Sequence, residues 1–294
     1  MTRDSRGAIL ACYAVAFAAG VATLHSVEAE PLWRLAAADL AATLVVFCFS
    51  RAFDNSSFFD PFWSVVPALF VVFWLLELPD GNPLRATVVC LLVFAWGIRL
   101  TFNWWRRWHG LGHEDWRYVD LRRKTGRLYW LVSLIGLHLA PMGWVFLGCL
   151  SLVPALSSTR PFGPIDALAT TVTAAAILLE ATADQQLRRW TVHQKRPGDL
   201  LETGVWGWVR HPNYLGEIGF WTGLYLFAVA TDPAWWPAAL GPASIAALFL
   251  FVSIPMKDAR MRASRPAYAA RMKRVWALIP RKPTPGVGRG GDGV

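Results

Sequence analysis

Apolar residues fall in eight long stretches, roughly 8–25, 35–52, 62–78, 84–105, 130–153, 165–187, 213–230 and 235–256, parted by shorter polar segments. A helix needs about 20 mainly apolar residues to cross the hydrocarbon core of a bilayer. The pattern therefore predicts eight transmembrane helices and an all-α, polytopic membrane fold. The first stretch lacks a small-residue cleavage site and is followed by further spans, so it is expected to be retained rather than removed as a signal peptide. No internal repeat is visible. Residues 281–294 are rich in Gly and Pro, and their GVGRGGDG run has neither the strand before it nor the helix after it that a phosphate-binding glycine loop requires. A disordered tail is expected there.

Composition supports this. The 294 residues are 55% hydrophobic and only 17% charged, with 17 Trp, whereas soluble domains average about 25% charged. The net charge of +9 could suggest nucleic acid, but its distribution gives a different reading. With the loops numbered alternately, one side carries 25 Lys and Arg, the other carries three (Arg34, Arg85, Arg160), and Arg99 lies inside a span. By the positive-inside rule the basic side is cytoplasmic, and an even number of spans puts both termini there. No nucleic-acid partner is expected. Cys12, Cys48, Cys90 and Cys149 each sit in an apolar run with no CxxC spacing, so buried free thiols are expected and neither a disulfide framework nor a metal site.

Ionisable groups at membrane depth cost about 2.5–3.5 kcal/mol on insertion scales and are functional candidates by default. Glu180, Asp184 and Arg188 follow an i, i+4, i+8 spacing and share one helix face; a snorkelling helix end accounts for Asp184 and Arg188 but less well for the deeper Glu180. The segment 204–217 carries Arg210, His211, Pro212, Asn213, Tyr214, Gly216 and Glu217 at the start of an apolar run. Pro212 suits a first helical turn, and a helix start with cations beside it favours phosphate or carboxylate groups. Arg99 and Asn103 lie on the fourth span, which runs into a basic loop holding Glu114 and Tyr118; that loop also reads as a patch for anionic lipids. Asp60 stands before Pro61 at the start of the third span and reads either as a helix cap or as a chemical acid. His25, His138 and His193 read as satisfied polar residues, and His109 with His113 does not form a zinc-protease motif.

Together these residues resemble the steroid 5-alpha-reductase family, and most of all its bacterial branch DUF1295. The resemblance rests on Glu180-x3-Asp184, on Gly204-x-Trp-x3-Arg210-His-Pro-Asn-Tyr-x-Gly-Glu217, and on Asp60-Pro-Phe-Trp63, Arg99-Leu-Thr-x-Asn103, Glu114-Asp-Trp-Arg-Tyr118 and Ser264-Arg-Pro-x-Tyr268. It runs from about residue 60 to 283 and implies a single membrane-embedded reductase domain over 1–280, in a multi-pass inner-membrane protein. It implies NADPH in a cavity open to the cytoplasm and hydride transfer to the beta carbon of an enone whose carbonyl an acid polarises. Cofactor-contact positions of the family fall on Asp184, Arg196, Arg210, Asn213 and Glu217, and Glu180 stands where steroid reductases carry Asn. With the neighbouring Arg99, Asn103, Arg188, His211 and Tyr214, these residues make up the expected cofactor site. Asp60 matches the family acid. The partner tyrosine of the family falls at Trp96, which lacks a phenol but whose indole N–H offers a second donor. Glu114 and Tyr118 complete the expected catalytic set.

The residues agree with this on their own terms. A dinucleotide needs cations at helix starts on the cytoplasmic side, and Arg188, Arg189, Lys195, Arg196, Arg210 and His211 supply them. A lipid-facing body suits an apolar small molecule or lipid entering from the bilayer. Two other readings stay open. Membrane methyltransferases of the isoprenylcysteine and phospholipid type carry a similar Arg-His-Pro-x-Tyr-x-Gly segment and use S-adenosylmethionine; they usually add an acidic pair, where this chain has only Asp258 in 255–260. A non-catalytic lipid-binding protein is the other.

Overall fold

The computed structural model describes residues 3–193, 196 and 198–280; the expected tail at 281–294, and Lys195, lie outside the described residues. Every regular element among them is helical. The long helices are α1 (Arg3–Ser26), α2 (Pro31–Ala52), α3 (Phe62–Glu77) and α4 (Pro83–Arg107). A short α5 (Trp116–Thr125) leads to α6 (Tyr129–Val132), α7 (Ala140–Cys149) and α8 (Leu152–Ser157). Then come α9 (Pro164–His193), α10 (Val205–Trp208), α11 (Pro212–Thr231), α12 (Leu240–Leu248), α13 (Ile254–Ser264) and α14 (Ala267–Arg274). Proline opens α2, α4, α9 and α11, where its missing N–H would have had no helical partner in any case.

Seven of these segments are long and apolar enough to cross a membrane, so the chain is a multi-pass helical membrane protein. The eighth expected span is present as α11, a helix of 20 residues, but it is not among the seven. Asn213, Glu217 and the glycines at 216, 219 and 223 dilute its apolar character. Large apolar side chains such as Trp33, Leu76, Leu91 and Phe251 are exposed, as expected of a surface solvated by lipid rather than water. The expectation of buried thiols holds for Cys12 and Cys149; Cys48 is exposed and Cys90 intermediate. An apolar stretch fixes depth in the membrane, not which face of the helix turns inward, and Cys48 lies on an outer face of α2.

Two spans pass through π turns, at Ser133–Leu139 and Phe249–Ser253, each closed by a backbone bond to the carbonyl five residues back. In each, a proline stands two residues past the end of the turn, Pro141 or Pro255. A proline ring inside a helix clashes with the carbonyl four residues earlier, and here those carbonyls belong to Leu137 and Phe251, inside the widened turns. The extra residue makes room for the ring, and the helix continues past it.

The chain forms two compact units, residues 1–170 with 224–241, and residues 171–223 with 242–294. In the first, α1 packs on α2, and α3 packs on α4, α7 and α8. Apolar attraction between helices is weak in lipid, so close approach and polar links do more of the holding. At Gly97 a Cβ would stand 2.6 Å from the Ser64 carbonyl oxygen, so only glycine admits α3 there. Arg85, fully buried, forms a bidentate pair with Asp166 at 2.7 and 3.1 Å and donates to the carbonyls of Ser158 and Pro161. Charge-assisted bonds of this fork geometry are among the strongest polar contacts, and they tie the start of α4 to the start of α9. In the second unit α11 lies against α9: a Cβ at Gly216 would collide with Glu180 Cγ and stand 2.9 Å from the Ala176 carbonyl oxygen.

Candidate functional site

The first unit gathers polar side chains where α2 ends and α3 begins. Asn55 caps a 3-10 turn, Ser56–Phe58, by accepting from the Ser57 N–H, and its amide donates to the carbonyls of Leu111 and His113 at 2.9 and 3.0 Å. Glu114 accepts from the Ser56 N–H at 2.8 Å and from the Tyr129 hydroxyl at 3.3 Å. The Ser57 hydroxyl accepts from the Asp115 N–H, and Asp115 caps α5. These links pin the loop before α5 against the 3-10 turn and set the position of Tyr118.

Tyr118 is buried, and its hydroxyl donates to Asp60 Oδ1 at 2.5 Å. The Ser57 hydroxyl also bonds Asp60, and the Arg117 charge acts on it. Asp60 does not cap α3: that helix begins at Phe62 with Pro61 at the cap position and no side-chain cap bond. The cap reading is thereby corrected. Its physical reason is that the chain turns through Asp60 and Pro61 before the helix starts, which leaves the carboxyl to face Tyr118 instead of the first-turn N–H groups.

Of the four expected catalytic residues the structure brings Asp60 and Tyr118 together. Glu114 is engaged with backbone and the Tyr129 phenol. Trp96 is fully buried, its ring edge-on to Trp63 with centroids 5.7 Å apart. The phenol missing at Trp96 is thus present beside Asp60 from another element. Among the expected cofactor residues of this unit, Arg99 is half-buried, and buried Asn103 accepts from Arg106 through its side-chain oxygen.

In the second unit α9 presents Glu180 buried, Asp184 half-buried and Arg188 exposed, a gradient along one face. Residues 204–208 lie along the same helix: Val205 N–H donates to the Gln186 side chain, and the Trp206 indole to the Ala183 carbonyl. Backbone N–H groups of Arg210 and His211 bond the carbonyls of Trp276 and Ala277. Asp258 is the centre of the polar network here. It accepts from Arg210 at 2.8 Å, His211 Nε2 at 2.9 Å and the Tyr268 hydroxyl at 2.5 Å. Arg210 also donates to the carbonyls of Met272 and Val275. The His211 ring stacks on Tyr214, and Tyr214 on Phe249 with centroids 4.5 Å apart. Glu217 accepts from the Trp221 indole at 2.8 Å. Asn213 is half-buried, and Arg196 is exposed beside Asp199.

Burial holds the His211 pKa below its ordinary value, and the Asp258 carboxylate offsets only part of this because Arg210 shares it. A neutral His211 donates Nε2–H to Asp258, and Arg210 carries the countercharge. Burial raises the Tyr268 hydroxyl pKa, and donation to Asp258 raises it further. The Arg210 and His211 side chains, expected to face an anionic ligand, are thus turned onto protein acceptors. Among the described residues, the exposed cations of this unit include Arg188, Arg189 and Arg196, and also Lys257, Arg260, Arg262, Lys273 and Arg274. Asp258 is the residue least apparent as a partner in the sequence. Its signal is that it is the sole acid between 257 and 280, among seven Lys and Arg.

Fold and polar networks together define a polytopic all-helical membrane protein with a buried carboxyl–phenol pair. Residues 46–275 match the family described as "Protein of unknown function (DUF1295)", and the chain belongs to that family. It is 28% identical over 205 residues to an uncharacterized protein of Schizosaccharomyces pombe, an alignment that covers 60% of this chain and 59% of that protein. It is 45% identical over 62 residues to the Lamin-B receptor of Drosophila melanogaster, covering 20% of this chain and 8% of that protein. The chain thus spans less than two thirds of the length of the curated relatives it matches. No solved structure matches it.

Proposed function

We propose that the protein is an NADPH-dependent membrane reductase that transfers a hydride to the C=C bond of an apolar enone, a 3-oxo-4-ene steroid or another lipid. The observation that carries this reading is the Asp60–Tyr118 pair, a carboxyl and a phenol sharing a hydrogen bond among buried aromatic residues. When an enone takes a hydride at its beta carbon, negative charge develops on the carbonyl oxygen, and a donor must meet it. A protonated Asp60 keeps the hydrogen bond from Tyr118 while its own O–H donates outward. Ser57 and the loop pinned by Asn55 hold the pair in place.

The second unit has the groups a dinucleotide requires. Arg188, Arg189 and Arg196 are exposed cations for phosphate, and Asp184 and Asn213 are half-buried acceptors for hydroxyl groups. In this reading Arg210 and His211 position the start of α11 through Asp258, and Tyr214, Glu217 and Glu180 line the same helix start. NADPH, when bound, supplies the hydride; the protein orients it and tunes the local charge.

NADPH is expected to raise the melting temperature of the purified protein. Ligand at a hundred times its dissociation constant stabilises by about 2.7 kcal/mol, well within reach of a thermal-shift assay. Protection by S-adenosylmethionine alone would replace the reductase with a methyltransferase. Protection by neither would leave a non-catalytic lipid binder.

The topology that goes with this reading places both termini in the cytoplasm, with α11 as an eighth crossing. Single cysteines at positions 29 and 290, in a background without the four native cysteines, are expected to label from opposite sides of the membrane. Labelling of both from one side would overturn the arrangement.

A further inference from the structure

Helix α5 carries Tyr118 of the buried pair, and its two sides are unlike. Tyr118, Leu121, Arg122 and Thr125 follow the i, i+3, i+4, i+7 spacing of one helix face. This face turns to the protein. Tyr118 is buried on Asp60, and Arg122 donates to Asp54 Oδ1 at 2.6 Å. The Arg122 guanidinium also stands over the rings of Tyr129 and Trp130, 4.1 and 5.1 Å from their centroids. Trp116, Val119, Asp120 and Arg123 repeat the same spacing on the opposite side, with Lys124 beside them. There Val119, Arg123 and Lys124 are exposed.

The depth of α5 follows from what stands at its two ends. It joins α4 to the span that opens at Tyr129. α4 closes on Trp104 and Trp105, with Trp108 stacked on Trp104 and Arg6 over the Trp105 ring. The next span opens on the Tyr129 and Trp130 rings, with Arg51 over Trp130. Amphipathic rings of this kind gather at the level of the lipid headgroups. A helix of 10 residues strung between two such clusters, its inner face docked on the protein, lies along the membrane surface.

The outer side of this helix is basic. Residues 116–127 hold Arg117, Arg122, Arg123, Lys124 and Arg127 against a single acid, Asp120. Arg122 is taken up on the inner face, and Arg117 bonds Asp115 at the helix cap. Arg123 meets Asp120 at 3.2 Å in an exposed pair, a kind of contact that contributes little. Lys124 and Arg127 make no ion pair among the described residues.

We infer that the outer side of α5, through Arg123, Lys124 and Arg127, binds the phosphate headgroups of anionic phospholipids. Val119 suits this place, because an apolar side chain and the apolar stems of long cations rest at the headgroup boundary while the charges reach the phosphates. The contact does more than adhere. A helix of this length is marginal on its own, so α5 depends on what holds its two sides. Tyr118 projects from the same helix, and a lipid that fixes the outer side also keeps the phenol on Asp60.

The contact does not depend on the reductase reading, and its test omits NADPH. Amide exchange of residues 116–127 is followed by mass spectrometry in the full-length protein, held in nanodiscs of phosphatidylcholine alone or with phosphatidylglycerol added. A cation beside an anionic surface contributes about a fivefold factor, so phosphatidylglycerol is expected to slow exchange in α5 by about tenfold or more. Arg123→Gln with Lys124→Gln should remove most of the slowing. Arg262→Gln with Lys273→Gln, which neutralises two exposed cations of the other unit, should keep it. Raised salt should remove the slowing from the unaltered protein, because exposed charges are screened; this arm needs no substitution. Equal exchange in the two lipids, slowing that survives Arg123→Gln with Lys124→Gln, slowing spread evenly over the whole chain, or the same slowing by inorganic phosphate in phosphatidylcholine nanodiscs would each overturn the proposal.

Discussion

Asp60→Asn is expected to lower turnover about a hundredfold or more, the scale of a general-acid contribution, while the protein stays folded and still binds NADPH. The argument rests on what the substitution keeps. The asparagine oxygen still accepts from Tyr118 and Ser57, so the local network survives, and no helix cap is lost because Asp60 does not cap α3. On the proposed reductase reading, what is lost is the capacity to carry and deliver a proton to a developing enolate. Tyr118→Phe removes the phenol at 2.5 Å and leaves the carboxyl, so turnover should fall by a smaller factor. The measurement is single-turnover oxidation of bound NADPH with an apolar enone, read beside NADPH affinity. Near-wild-type turnover in Asp60→Asn would move the acid elsewhere, with Glu114 and Glu180 as the next carboxyl groups to examine.

Asp258→Ala should destabilise the folded protein by about 3–5 kcal/mol, the range for removing one partner of a buried ion pair. Arg210 and Asp258 are 8% and 6% exposed, so water cannot replace the lost carboxylate. His211 and Tyr268 lose the same acceptor. Most of the loss comes from a guanidinium left without countercharge, not from the bond itself. The double variant Asp258→Ala with Arg210→Met should therefore be more stable than Asp258→Ala alone. Denaturant unfolding in detergent micelles reads both, and equal stabilities of the single and double variants would show that Arg210 finds another partner.

Helix number and depth were legible in the sequence because a bilayer-length apolar run is a local property. The eight stretches correspond to α1 to α4, the α6–α8 run, α9, α11 and the α12–α13 run. Facing is not local, and that is where expectation and structure part. Cys48 lies in as apolar a run as Cys12 yet faces outward. Arg85 counted as a loop cation but is buried on Asp166, 81 residues away. The motif around Arg210 and His211 was apparent, but their acceptor lies 47 residues or more downstream and shows in the sequence only as an isolated acid. The phenol beside Asp60 comes from 58 residues away. Its approach depends on Asn55 and Glu114 pinning a loop, and neither hydrophobic pattern nor spacing encodes that.

Each π turn holds one residue more than an α-helix of the same height would. Beyond it the helix is rotated by about 100° relative to an uninterrupted one. Pro141 and Pro255 keep that offset, because a regular helix would bring the ring onto the carbonyl behind it. The two prolines therefore act as phase markers for the remainder of each span. Pro141 sets which way Met142, Val145 and Cys149 point; Pro255 sets the direction of Asp258, three residues past it. A relative that lacked both the proline and the extra residue would keep the same apolar length and the same depth while presenting a different face. An alignment that slid by one position at these turns would pair residues of equal hydropathy whose side chains look in different directions.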